Sequence, residues 1–155
     1  MNNFINAISL VSYDLSLKLI QNLSDENINR LIVYSSTDEK KIGLDMLKRN
    51  NNSVLIGPSI LEGIDLPDDH ARFIIFLKVP YLSLNDKFVS AKLKINKDWY
   101  TNKAITNILQ GTGRGVRHQK DWCETFILDG NFGNLIHYNR NAFPIEFLNR
   151  IKLKH

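Results

Sequence analysis

Apolar and polar positions along this chain follow two different periods. Short apolar runs at residues 7–11, 30–34, 53–56, 73–79 and 124–128 read as strands, since runs of roughly four to eight such residues between turn formers suit a buried strand. Between them, apolar residues recur at the spacing of one side of a helix. Leu15, Leu19, Ile20 and Leu23 make one such face behind a capping Asp14. Ile42, Met46 and Leu47 make another, predicted to point inward, behind the cap Ser36-Thr37. That second helix opens on Asp38 and Glu39 and closes on Lys48 and Arg49, charges that suit the helix dipole at both ends. Residues 85–93 and 102–110 read as further helices. Alternation of this kind predicts an α/β fold, a mainly parallel sheet with helices on both faces.

After Phe132 the pattern loosens. Pro144 at a helix start, with Ile145, Leu148 and Ile151 at helical spacing, predicts a short terminal helix running into the basic tail 150–155. The expected organisation is one lobe over residues 1–135, and a helix with a solvated tail over 136–155, packed on that lobe or extending from it.

A chain of 155 residues can bury a core as one domain without disulfides or metal. Its single cysteine, Cys123, excludes an intramolecular disulfide and a cysteine-ligated cluster, as expected in a reducing cytosol. No run approaches the roughly eighteen apolar residues of a membrane span, and the first residues lack the regions of a signal peptide; a soluble cytoplasmic protein with no membrane partner is expected. Lys and Arg number 20 against 16 Asp and Glu, a net charge of +4, which allows a polyanionic partner without demanding one. His70, His118, His137 and His155 have no metal-ligand spacing, so no metal site is expected. The asparagine cluster at 50–52 reads as coding bias.

Two stretches carry chemistry. Gln110-Gly-Thr-Gly-Arg-Gly-Val-Arg117 spaces one amide and two guanidiniums at i, i+4 and i+7, which on a helical backbone share one face. Guanidiniums that never lose their charge, beside a backbone thinned by glycine, suit a phosphate whose negative charge grows during reaction; the plainer reading is a glycine-rich helix end with solvated arginines. The second stretch, Gly57-Pro-Ser-Ile-Leu-Glu-Gly-Ile-Asp-Leu-Pro67, leaves an apolar strand, and loops at strand carboxyl ends are where open α/β sheets build sites.

The second stretch resembles motif V, and the first motif VI (Q-x-x-G-R-x-x-R), of superfamily 2 helicases of the XPD/DinG type. Order and distance match that family, as do Asp68-Asp-His-Ala-Arg-Phe73, Lys78-Val-Pro-Tyr81, Asp98-Trp-Tyr100 and Asp121-Trp-Cys-Glu-Thr-Phe-Ile-Leu-Asp129. The resemblance is strong over residues 54–132, weaker over 7–52 and absent beyond. Trp122-Cys-Glu-Thr125 is similar to helicases of bacteria and their viruses. The resemblance implies a RecA-like three-layer sandwich. It also implies that Arg114 and Arg117 reach across an interlobe cleft to the γ-phosphate of ATP, one as an arginine finger, with Gln110 and Gly113 at the nucleotide. Glu62, Gly63 and Asp65 match the E-G-x-D that links nucleotide state to the nucleic-acid strand; as plain loop residues, Glu62 and Asp65 would cap turns or pair with an interior arginine. Ser12, beside Tyr13, matches the end of motif IV, and with Ser59 and Lys78 it is expected to line a single-strand track. Tyr13 is equally a core residue, and Lys78 is either solvated or meets a phosphate.

A complete nucleoside triphosphatase needs a phosphate loop, G-x-x-x-x-G-K-[ST], and an acidic box for magnesium, and the sequence contains neither. The expected part is therefore the C-terminal lobe of a two-lobe motor, a fragment or a separately encoded subunit. ATP and Mg2+ would be held mainly by an N-terminal RecA-like lobe, and the partner strand would be DNA sooner than RNA. In a different class stands a non-catalytic RecA-like module that binds nucleic acid or protein; such a module has no need of a cross-cleft arginine pair. Trp99 and Tyr100 are either stacking residues for bases or packing residues at a helix start.

Overall fold

The computed structural model describes residues 6–10, 13–50, 52–58, 72–113, 116 and 120–152. In chain order these form β1 (Asn6–Leu10), α1 (Tyr13–Ile20), α2 (Asp25–Ile28), β2 (Leu31–Val33), α3 (Thr37–Arg49), β3 (Val54–Pro58) and β4 (Phe73–Phe76). Then follow α4 (Lys87–Ile95), α5 (Lys97–Gly113), β5 (Glu124–Ile127), α6 (Asn131–Tyr138), a 3-10 turn (Arg140–Ala142) and α7 (Ile145–Leu148). The strands lie in the order β2-β3-β1-β4-β5, and every neighbouring pair is parallel.

Side chains alternate across the strands, and each face finds a different cover. On one face Leu55, Ile74 and Phe76 pack with Tyr34 and with Leu47 of α3, and Ile32, Leu44, Cys123 and Ile127 close round them. On the other, Val54 and Ile56 meet Leu15 and Leu19 of α1, flanked by Leu31, Phe73 and Ile75. A third cluster joins Val79 to Ala104, Ile105 and Ile108 of α5, Leu135 of α6 and Phe143. Helices on both faces of an all-parallel sheet make the three-layer α/β sandwich that the apolar pattern predicts.

Several local expectations change. Asp14 lies inside the first turn of α1, which already starts at Tyr13. Ile42 and Met46 do not point inward; they are 61% and 52% exposed. The cause is Gly43, where an added Cβ would come within 2.9 Å of Leu55 Cδ1 and 3.2 Å of Ile32 Cγ2. The helix lies so close to the sheet at Gly43 that its buried side is built on Gly43 and Leu47, which turns Ile42 and Met46 outward. The helix expected at 102–110 starts earlier, because the Asn96 side chain accepts from Trp99 N at 2.9 Å and caps a first turn with no apolar period of its own. Beyond Phe132 the chain is more regular than its pattern: α6 runs through position 135, and Phe147 and Leu148 of α7 pack against the cluster that holds Phe143.

Candidate functional site

Register sets the site. Leu10 lies opposite Pro58 and Ser9 opposite Phe76, so the carboxyl ends of β1, β3 and β4 finish level along one edge. The chain leaves that edge after each of these strands, at the position where open parallel sheets bind ligands. Lys78 stands there, exposed, just past β4. Ser12, Ser59, Glu62, Gly63 and Asp65 lie outside the described residues.

The exit from β3 is held by a residue whose role was missed in the sequence. Tyr34 continues the pairing of β2, its amide donating to Ile56 O at 3.1 Å. Its ring is buried and lies directly on Gly57, where an added Cβ would fall 2.3 Å from two ring carbons. Its hydroxyl donates to the carbonyl of Pro58 at 2.6 Å. The last residue of β3, just ahead of the 59–67 stretch, is thus fixed by a side chain from the end of the neighbouring strand. The available signal was Gly57 itself, because glycine inside a strand marks the close approach of another group.

The exit from β4 is tied to β5 through Asp129. One carboxylate oxygen accepts from Val79 N at 2.9 Å and the other from Asn131 N at 3.0 Å. Burial, and then the Asp129 charge, push the Tyr81 phenol above its ordinary value. Tyr81 stacks on Tyr100 with ring centroids 5.3 Å apart. The Tyr100 hydroxyl donates to Leu82 O at 2.9 Å, and Asn107 Nδ2 donates to Pro80 O at 3.3 Å. The strand exit beside Lys78 is therefore strapped to α5, and Tyr100 belongs to packing.

At the other end of the sheet, Arg72 Nη1 meets Asp121 Oδ1 at 2.6 Å and donates to Trp122 O at 2.7 Å. Its guanidinium also lies 5.0 Å from the Trp122 ring centre. Two segments quoted for the family resemblance thus meet where β4 and β5 begin. Cys123, next to them, is pushed up to about 11 by burial, against the pull of Arg72, which leaves it a poor nucleophile at neutral pH.

The motif at 110–117 begins on the last turn of α5. Gln110 is exposed while Ile108 and Gly111 are buried, so its amide faces away from the core. Gly113 ends the helix with nothing within 4 Å of a would-be Cβ, so packing does not require glycine there. Arg114 and Arg117 lie outside the described residues. Because β4 and β5 are parallel, the connection through α5 returns toward the amino ends of the strands, and Gln110 lies ~15 Å beyond Tyr100 along the helix axis. Gln110 and Lys78 are accordingly not brought together; they belong to different parts of the lobe.

Among the described residues, no group of three His, Cys, Asp or Glu could hold a metal ion, and no helix is long and apolar enough to cross a membrane. His137 is exposed against Tyr138; His70, His118 and His155 lie outside the described residues.

The family model of the helicase C-terminal domain matches residues 7–145, past Phe132, where the resemblance was expected to end. The Fanconi anemia group J protein homolog of Gallus gallus is 30% identical over 87 residues, covering 48% of this chain and 7% of that protein. The ATP-dependent DNA helicase XPD of Sulfolobus acidocaldarius is 28% identical over 130 residues, covering 81% of this chain and 21% of that protein. The ATP-dependent DNA helicase CHL1 of Yarrowia lipolytica is 27% identical over 105 residues, covering 51% and 13%. The chain thus spans well under two thirds of the length of these relatives. With a match that takes in both chemistry-bearing stretches and nearly the whole parallel sheet, the chain belongs to the helicase C-terminal domain family.

Proposed function

We propose that this chain is the C-terminal motor lobe of an ATP-dependent helicase or translocase acting on single-stranded nucleic acid, DNA sooner than RNA, in the cytoplasm. The observation that carries the reading is Gln110, turned to solvent on the last turn of α5 at the head of Gln110-Gly-Thr-Gly-Arg-Gly-Val-Arg117, inside a helicase-family match. An N-terminal RecA-like lobe, in the same protein or a separate one, would hold ATP and Mg2+. The bound metal would neutralise phosphate charge.

Arg114 and Arg117 would face the terminal phosphate across the cleft, where fixed guanidiniums stabilise charge spreading over the phosphoryl oxygens. Such arginines are worth roughly 10³ to 10⁵ in rate. Gln110 and Gly113 would border the nucleotide. Glu62, Gly63 and Asp65 would couple nucleotide state to the strand, and Ser12, Ser59 and Lys78 would contact its phosphates, fixing position and not sequence. Tyr34, by holding Pro58, sets where that coupling loop begins.

The test has two arms. Purified alone, the chain should hydrolyse ATP no faster than a buffer control; steady turnover abolished by a mutation within it overturns the half-site reading. Supplied with its N-terminal lobe, Arg114→Ala and Arg117→Ala should each lower turnover by about 10³ or more with the fold intact. Lysine should rescue either poorly, as it lacks the planar fork. Near-normal turnover in both alanine variants would make the motif structural.

A further inference from the structure

The hairpin of α4 and α5 carries a surface that the motor reading does not use. Phe88 is 66% exposed and Ile95 is 87% exposed, and with Lys92 between them they fall at i, i+4 and i+7 on one side of α4, while the buried Val89 lies about 100° round the helix from Phe88. Trp99, from the first turn of α5, meets Phe88 edge-on with ring centroids 6.3 Å apart. The Lys92 ammonium lies 4.2 Å from the Trp99 ring centre and 5.4 Å from that of Phe88.

Around these rings lysines outnumber carboxylates, with Asp98 beside Trp99 and Asp86 at the start of α4 as the acidic neighbours. Lys87, Lys92, Lys94 and Lys97 stand within a dozen or so residues, and none pairs with a carboxylate among the described residues. Asp86 is turned into the start of α4, where Oδ1 accepts from Phe88 N at 2.8 Å and Val89 N at 3.2 Å. Apolar burial does not explain an outward phenylalanine beside an indole, and an unpaired basic cluster repels itself unless an anion meets it. Rings that offer faces among cations are the means by which proteins hold single strands without reading sequence: bases stack on the rings and phosphates meet the lysines.

We propose that the Phe88–Lys92–Trp99 face of the hairpin binds single-stranded nucleic acid, one base stacking on Phe88 and adjoining phosphates drawing Lys92 and Lys94. The partner is chosen by charge and aromatic exposure, independently of ATP chemistry. The face also adjoins the strand exit that carries Lys78, since Tyr100, next to Trp99, is bonded to Leu82, so a strand leaving the carboxyl edge meets the hairpin next.

The test uses the full chain and a labelled oligo-dT, with an abasic strand of equal length and a polyglutamate peptide as competitors, followed by anisotropy at several salt concentrations. Phe88→Ala should weaken oligo-dT binding about five-fold or more, the low end of base–aromatic stacking, and leave the abasic strand unaffected. Lys92→Gln with Lys94→Gln should weaken both strands and reduce the salt slope. Both sites are on the surface, so circular dichroism should be unchanged. Absence of binding by the unaltered chain, or unchanged binding in the Phe88 and lysine variants, overturns the proposal. If Lys78→Ala, run in parallel, weakens binding while the hairpin variants do not, the carboxyl-edge track stands and the hairpin site falls. Polyglutamate displacing oligo-dT at equal charge would assign the face to an acidic protein segment and overturn it equally.

Discussion

Tyr34 shows how much of a site one side chain can set: its ring fills the space over Gly57 and its hydroxyl holds Pro58. Tyr34→Phe should lower unfolding free energy by ~1 kcal/mol in a urea titration, the loss of one partly buried hydrogen bond. Gly57→Ala should cost about 1–3 kcal/mol by overpacking against the ring. The two losses should also fail to add, because the ring that carries the hydroxyl is the one displaced. Cys123 gives a second residue-scale test. With its thiol pushed up from 9.0 to about 11, the thiolate fraction near pH 8 is lower by about a hundred-fold than for an ordinary cysteine. Iodoacetamide should label the native chain slowly and the urea-unfolded chain at the usual rate. The raised value favours the protonated thiol in the fold, so its contribution is whole below pH 9.0 and is lost as pH rises toward about 11. Gln110 and Lys78 stood out as candidates from residue type and spacing, whereas Tyr34 did not, because a tyrosine ending a strand looks the same whether or not a glycine lies under it.

At the scale of elements, α3 was the most readable and also the most instructive. Ser36 Oγ accepts from Glu39 N at 3.3 Å, and Glu39 Oε2 accepts from Ser35 N at 2.7 Å and Ser35 Oγ at 2.8 Å. Backbone and side-chain donors of Ser35 hold the Glu39 carboxyl below its ordinary value of 4.5. Because the folded value is depressed, this contribution is present above pH 4.5 and is lost as pH falls through the folded value. Glu39→Gln should thus differ from the parent in thermal midpoint at neutral pH and converge with it in acid. Ser36→Ala should cost about 1 kcal/mol at any pH, as loss of an N-cap. The ends of the helix follow from local capping chemistry, which sequence states directly. Its rotation does not: Ile42→Lys and Met46→Lys should stay within ~0.5 kcal/mol of the parent, because the close approach at Gly43 chose the buried side.

Across the whole molecule, one buried ion pair joins parts of the chain 49 residues apart, Arg72 before β4 and Asp121 before β5, with 11% and 1% of their side-chain surface exposed. Asp121→Ala removes the 2.6 Å charge-assisted contact while Arg72 keeps its contacts to Trp122, and should cost about 1.5–3 kcal/mol in chemical denaturation; an unchanged stability would show that the pair contributes nothing to holding β4 and β5 together. By itself, the sequence determined the α/β class, the parallel sheet, the cap of α3 and the family, since apolar period, capping residues and motif spacing are local properties. Only the tertiary structure decided which strand lies at the centre, that β1, β3 and β4 end level, that Tyr34 clamps Gly57 and Pro58, and that Trp99 meets Phe88 of α4 while Tyr100 stacks on Tyr81. The physical reason is that strand order, register and helix rotation are settled by steric fit and burial between segments far apart in the chain, which no local pattern encodes.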